Sequence, residues 1–104
     1  MKKNKPNKKT TGQPSAKSVQ IEFIHANATT ISIIGTFNGW RHEATPMTRV
    51  GESRWFKELL LPPGVYEYQF LIDGRWLPDP QASKTAPNPF GEVNSVLQVP
   101  SSNT

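Results

Sequence analysis

Residues 65–72, Val-Tyr-Glu-Tyr-Gln-Phe-Leu-Ile, alternate with a period of two. Tyr66, Tyr68, Phe70 and Ile72 fall on one side, and Glu67, Gln69 and Leu71 on the other. An extended backbone sends successive side chains to opposite faces, so this pattern predicts a strand with one face in a core. Asp73-Gly74 follows at once. A two-residue hairpin turn needs positive φ at its centre, which Gly supplies readily and Asp tolerates. A return strand over residues 75–77 is therefore expected.

The rest of the chain reads in the same way. Val19, Ile21 and Phe23 alternate with Gln20 and Glu22, and Ile31 and Ile33 with Thr30 and Ser32. Both runs predict half-buried strands. Asn27-Ala28 turns the chain between them, and the second run stops at Gly35. Residues 41–50 are polar and irregular, and Gly51-Glu52-Ser53 marks a turn. Residues 54–61 put Trp55, Leu59 and Leu61 on one face, with Lys57 as a flaw in that row. Pro62-Pro63-Gly64 is a strong turn signal. Pro78, Pro80, Pro87 and Pro89 predict a long connection with few backbone donors. Val93, Ser95, Leu97 and Val99 form a last alternating run. No run has a helical period. Six or seven short antiparallel strands at this spacing predict an all-β sandwich of the immunoglobulin-like architecture.

Charge divides the chain. The first 17 residues hold six lysines and no acid, while all eight acidic residues and the other six basic ones come later. Residues 1–17 are expected to be a disordered, lysine-rich tail, residues 18–100 the folded domain, and residues 101–104 a disordered end. The basic character belongs to the tail. Nothing aromatic or amphipathic interleaves with its lysines, so neither specific nucleic-acid binding nor membrane binding is expected. The chain has no cysteine, which rules out disulfides and thiolate metal sites. The longest apolar run is three leucines, far short of a membrane span, and no apolar stretch follows the N-terminal lysines. A cytoplasmic location is expected.

Residues suited to catalysis are scarce. His25 and His42 are the only histidines, and neither has ligand spacing around it. Asp73 is the residue before a turn glycine, and Asp79 lies between two prolines, so a hydrolytic carboxylate pair is not expected. No phosphate-binding or dinucleotide glycine motif is present. The chain should therefore have no catalytic residues, no metal and no cofactor, and should not be an enzyme.

Aromatic residues remain. Trp55 alternates with core positions and should be buried. Trp40 and Trp76 each follow a glycine-containing turn and are flanked by Arg and by polar or proline residues. An indole near a loop either plugs the end of a sandwich or stacks on a ligand. Sugar rings offer apolar C–H faces to such a surface. Asn38, Gln69, Asn88 and Asn94 are candidate amide partners for the hydroxyls.

Three segments carry a resemblance. They are Gly35-Thr36-Phe37-Asn38-Gly39-Trp40, then Leu61-Pro62-Pro63-Gly64 with Tyr68-Gln69-Phe70-Leu71-Ile72-Asp73-Gly74-Arg75-Trp76, then Asp79-Pro80 with the run from Gly91 to Val99. In this order and spacing the chain resembles carbohydrate-binding module family 48, from about Val19 to Val99. That family includes the glycogen-binding domain of the AMP-activated protein kinase β subunit and N-terminal domains of glycogen branching and debranching enzymes. The resemblance implies α-1,4-glucan binding on a platform of Trp40 and Trp76. It places Gln69 where the family has a basic sugar contact, Phe90 where an apolar residue reaches into the sugar, and Glu92 where a threonine often makes a polar contact. Asn94 keeps the family amide. Some members instead pack against other domains, so the alternative is a protein-interaction module docking on a kinase or a glucan-metabolising enzyme. With no histidine in the expected site, affinity should be flat between about pH 6 and 8.

Overall fold

The computed structural model describes residues 16–101. Eight strands are present among them: β1 Lys17–Ile24, β2 Ile31–Gly35, β3 Thr48–Arg49, β4 Arg54–Leu61, β5 Gly64–Ile72, β6 Arg75–Leu77, β7 Lys84–Pro87 and β8 Val93–Val99. They form two antiparallel sheets, β1-β4-β3 and β2-β5-β8-β7, with β6 also paired to β5. The result is the expected all-β sandwich.

Register follows from the alternating pattern. β1 meets β4 with Phe23 opposite Trp55 and Val19 opposite Leu59. On the other sheet Ile33 lies opposite Phe70 and Ile31 opposite Ile72. These inward rows make one cluster with Ile21, Leu61, Tyr68 and Val99. The Phe23 and Phe70 rings meet across the sheets, 4.5 Å between centroids. Trp55 is in this core, as its position in the pattern requires, and the Arg49 guanidinium caps its ring at 5.1 Å. Lys57 lies opposite Ile21 in the inward row yet stays only half-buried. β3 pairs with Trp55 and Phe56 but not beyond, so no third strand flanks Lys57.

The turns behave as their residues dictate. Asp73 and Gly74 both have positive φ, 49° and 85°, and close the hairpin from β5 to β6. Asp73 also reaches back to the β1–β2 connection, where its carboxylate accepts from the Thr29 and Thr30 amides. Those bonds hold the Asp73 carboxyl below the ordinary carboxylate range. After Pro62-Pro63, Tyr66 Oη donates to the Pro62 carbonyl at 2.7 Å. This pins the passage from one sheet to the other, as a tyrosine corner does.

Two strands depart from the expectation. The proline-rich connection contains β7, which pairs with β8 from Lys84–Val96 to Pro87–Val93. It survives because it is an edge strand with its proline at the end, where a missing donor costs little. β3 is two residues long and sits inside the stretch read as irregular. It carries no alternation of its own and is held by register with β4. Strand β1 also starts at Lys17, inside the segment assigned to the tail. The remaining tail residues 1–15 and the end residues 102–104 lie outside the described residues.

Candidate functional site

The outer face of the five-stranded sheet carries three of the expected site residues, Gln69, Asn94 and Trp76. Parity fixes this. Tyr68 pairs with the buried Ser95 on the inner side, so Gln69 and Asn94 face outward, beside each other. Ile34 lies opposite Gln69 on β2, and Trp76 opposite Leu71 on β6. Ile34, Gln69 and Asn94 thus form one row across the sheet, and Leu71 with Trp76 forms the next.

Trp40 stands in a tightly specified loop that follows β2. Gly35 ends β2 where a Cβ would meet the Glu67 carbonyl oxygen and lie 2.8 Å from Tyr68 Cβ, so only glycine fits. Residues 36–38 make one 3-10 turn. Phe37 packs its edge against Tyr66, 6.1 Å between centroids. Asn38 ties the loop to β2: its Oδ1 accepts from Gly35 N–H, and its Nδ2 donates to the Ile33 carbonyl and to Thr45 Oγ1. Asn38, a candidate ligand amide by sequence, is committed to the fold. Gly39 and Trp40 then both have positive φ, 68° and 60°. A bulky residue rarely adopts this conformation, and such strain collects at functional sites. Trp40 N–H donates to the Gly35 carbonyl at 2.9 Å, which holds the turn closed. Its side chain remains 37% exposed, and that of Trp76 43%.

The Trp40 loop meets Trp76 through His42. The His42 and Trp76 rings stand edge to face with centroids 5.2 Å apart. The sequence predicts a site free of histidine; the structure sets His42 against Trp76, one of the candidate residues. Strands β3, β4 and β5 lie between His42 and Trp76 in the chain, so no local pattern marks the pair.

Polar site residues form a chain. Asn94 Nδ2 donates to Glu67 Oε1 at 2.9 Å. Asn94 Oδ1 accepts from Gln69 Nε2 at 2.9 Å and from Asn88 Nδ2 at 3.2 Å. Gln69 and Asn94 are only 4% and 6% exposed. Gln69, a candidate sugar contact by sequence, has its nitrogen bound to Asn94 and to the Val93 carbonyl. Phe90 and Glu92 stand in the β7–β8 turn. Asn88 Oδ1 accepts from both of their backbone amides, and the Phe90 side chain is 88% exposed.

Away from this face, a cleft of about 380 Å³ opens beside β1, lined by Gln20, Glu22, Gln81 and Lys84 with Tyr68 and Asp79 among its walls. None of the tryptophans lines it. Tyr68 Oη donates to Asp79 Oδ2 at 2.6 Å, and Asp79 Oδ1 accepts from Gln81 N–H. Burial, with the Asp79 hydrogen bond and charge, pushes the Tyr68 phenol well above its ordinary range. Asp79 is thus a structural clasp for the residues after β6.

Comparison with known proteins bears on the same residues. The family described as the glycogen recognition site of AMP-activated protein kinase matches residues 17–104. The AMP-activated protein kinase subunit beta-1 of Sus scrofa is 35% identical over 69 residues, 66% of this chain and 53% of that protein. Phosphoglucan phosphatase DSP4, amyloplastic, of Castanea sativa is 29% identical over 83 residues, 80% of this chain and 22% of that protein. The chain therefore spans about half of one relative and a quarter or less of the other. Among solved structures, maltogenic amylase from S. marinus superposes with a TM-score of 0.73 at 20% identity, over 88% of this chain and 15% of that one. At that identity the likeness is one of fold.

Proposed function

This chain belongs to the family of the glycogen recognition site of AMP-activated protein kinase, and from that premise we propose that it is a non-catalytic module that binds α-1,4-glucan on Trp40 and Trp76. The observation that carries the reading is that the loop holding exposed Trp40 is brought, through His42, against exposed Trp76. A left-handed turn presents Trp40, the Asp73-Gly74 hairpin presents Trp76, and His42 bridges the two segments. Successive glucose rings stack their apolar faces on the indoles, each contact contributing about 1–3 kcal/mol by apolar burial. His42 walls one side of Trp76. Phe90, on the exposed β7–β8 turn, adds a further apolar surface, and Glu92 accepts hydroxyl hydrogen bonds there. Gln69 and Asn94 act from beneath as a fixed amide floor.

A shallow site of this kind binds weakly, with dissociation constants of about micromolar to millimolar, because stacking must offset the ordering of a flexible sugar. In the whole protein the module would tether a larger chain, or a kinase or glucan-metabolising partner, to polymer. A second reading is protein docking, which the outer face of the three-stranded sheet favours: Ile24 and Leu60 are exposed there, 54% and 67%. Native gels cast with amylopectin separate the two. Retardation that Trp76→Ala abolishes supports glucan binding; equal mobility with and without amylopectin supports docking.

A further inference from the structure

The outer-face amides have a direction, and it is set at one end. Glu67 as a carboxylate only accepts hydrogen bonds. It takes one from Asn94 Nδ2, which turns Asn94 Oδ1 toward Gln69 and Asn88, each a donor to it. Gln69 Nε2 is then shared between Asn94 Oδ1 and the Val93 carbonyl. Gln69 Oε1 is left buried and without a partner among the described residues. No reversal relieves this. Flipping Gln69 alone would set its oxygen against two acceptors. Flipping Asn94 as well would set an oxygen against the Glu67 carboxylate and turn a nitrogen toward the Asn88 donor. A single charge therefore orients two buried amides and leaves one acceptor unpaired, in the strip that Leu71 and Trp76 continue.

We propose that Glu67 is a positioning residue of the platform: through Asn94 it fixes Gln69 so that Oε1, buried in the free protein, stays unpaired for a sugar hydroxyl that gains it when ligand binding opens the strip Trp76 continues. This rests on the glucan reading above and refines it. An unpaired buried acceptor is costly, and the donor that completes it on ligand binding is a sugar hydroxyl. Glu67 itself need not touch the sugar.

The test uses the full chain and two readouts. Side-chain amide resonances of Asn94 and Gln69 are recorded without ligand, and maltoheptaose affinity is measured by calorimetry. Glu67→Gln removes the fixed acceptor; it should shift both amide resonances, leave the backbone pattern intact, and weaken binding about tenfold, as loss of one charge-assisted hydrogen bond does. Glu67→Gln with Asn94→Asp moves the carboxylate one step along the chain. The carboxylate now at position 94 accepts from the new amide at position 67, from Gln69 and from Asn88, and the Gln69 side-chain resonances should return toward their parent positions. If Glu67→Gln fails to fold, Glu67→Asp withdraws the same acceptor and should show the same loss. Parent-like affinity and amide resonances in Glu67→Gln overturn the inference alone. Gln69 resonances that do not return in the double variant also overturn it, since the carboxylate would then not set the orientation of Gln69. A parent protein that binds no maltoheptaose overturns the platform reading and this inference with it.

Discussion

On the inner face of β5, Tyr68, Phe70 and Ile72 join a cluster supplied by both sheets. On the outer face of the same strand, Glu67, Gln69 and Leu71 meet no second sheet, yet Gln69 and its neighbour Ile34 are buried as deeply as core residues. The first face is closed by apolar volume from strands whose register the whole fold enforces. The second has no such partner sheet, and its buried groups are the polar Gln69 and Asn94 beside the apolar Ile34. Burial on the inner face stabilises; burial on the outer face orients. Residues from the two faces should therefore fail differently when changed.

The largest effect belongs to the inner face. Trp55→Ala should destabilise by about 3–5 kcal/mol, the cost of emptying a large core site, measured by urea unfolding. A loss below about 1 kcal/mol would mean that the inner face is not the core that holds the sheets together. Tyr68→Phe should cost less, about 1–3 kcal/mol, because it strips the donor from buried Asp79 Oδ2. Maltoheptaose affinity should not change in this variant, since the clasp lies on the inner face of β5, opposite the row of Leu71 and Trp76.

Acid titration sharpens the comparison at its margin. The hydrogen bonds from Thr29 and Thr30 depress the Asp73 carboxyl. A depressed folded value means that the unfolded chain takes up the proton first. The stability Asp73 contributes is thus fully present above about pH 4 and is lost as pH falls through the lower folded value. Parent protein should melt above Asp73→Asn at neutral pH, and the gap should close in acid. A gap that stays constant with pH would show that the Thr29 and Thr30 bonds do not act through the charge. The smallest effect is that of His42→Ala. One edge-to-face contact is worth about 0.5–1.5 kcal/mol, so affinity should fall about two- to tenfold with little change in melting temperature. Unchanged affinity would remove His42 from the site.

The legible parts of the sequence are those where local pattern and tertiary role coincide. β5 announces itself by alternation, Asp73-Gly74 by turn chemistry, and Trp55 by its phase with Leu59 and Leu61. β7 is hidden because its prolines read as a connection, and only the β8 partner makes it a strand. Thr48 and Arg49 are too few to show a period. Turn chemistry places Trp40 and Trp76 at loops, whereas the meeting of the Trp40 loop with Trp76 runs through His42, a contact no spacing encodes. Resemblance locates Gln69 and Asn94 but not their burial. That follows from Glu67 and Asn88, which meet them through strand pairing and a hairpin rather than along the chain. Asn38 is the opposite case: its motif reads as a ligand amide, and its hydrogen bonds hold the loop.

The central claim is that Trp40 and Trp76 bind sugar and do not hold the fold. It is tested most directly by titrating maltoheptaose into the parent protein, Trp40→Ala and Trp76→Ala, with the melting temperature of each recorded on the same sample. Each substitution should abolish measurable binding and leave the protein folded, within about 1 kcal/mol of the parent. Two folded variants that bind maltoheptaose as the parent does, or two that unfold, would contradict the account.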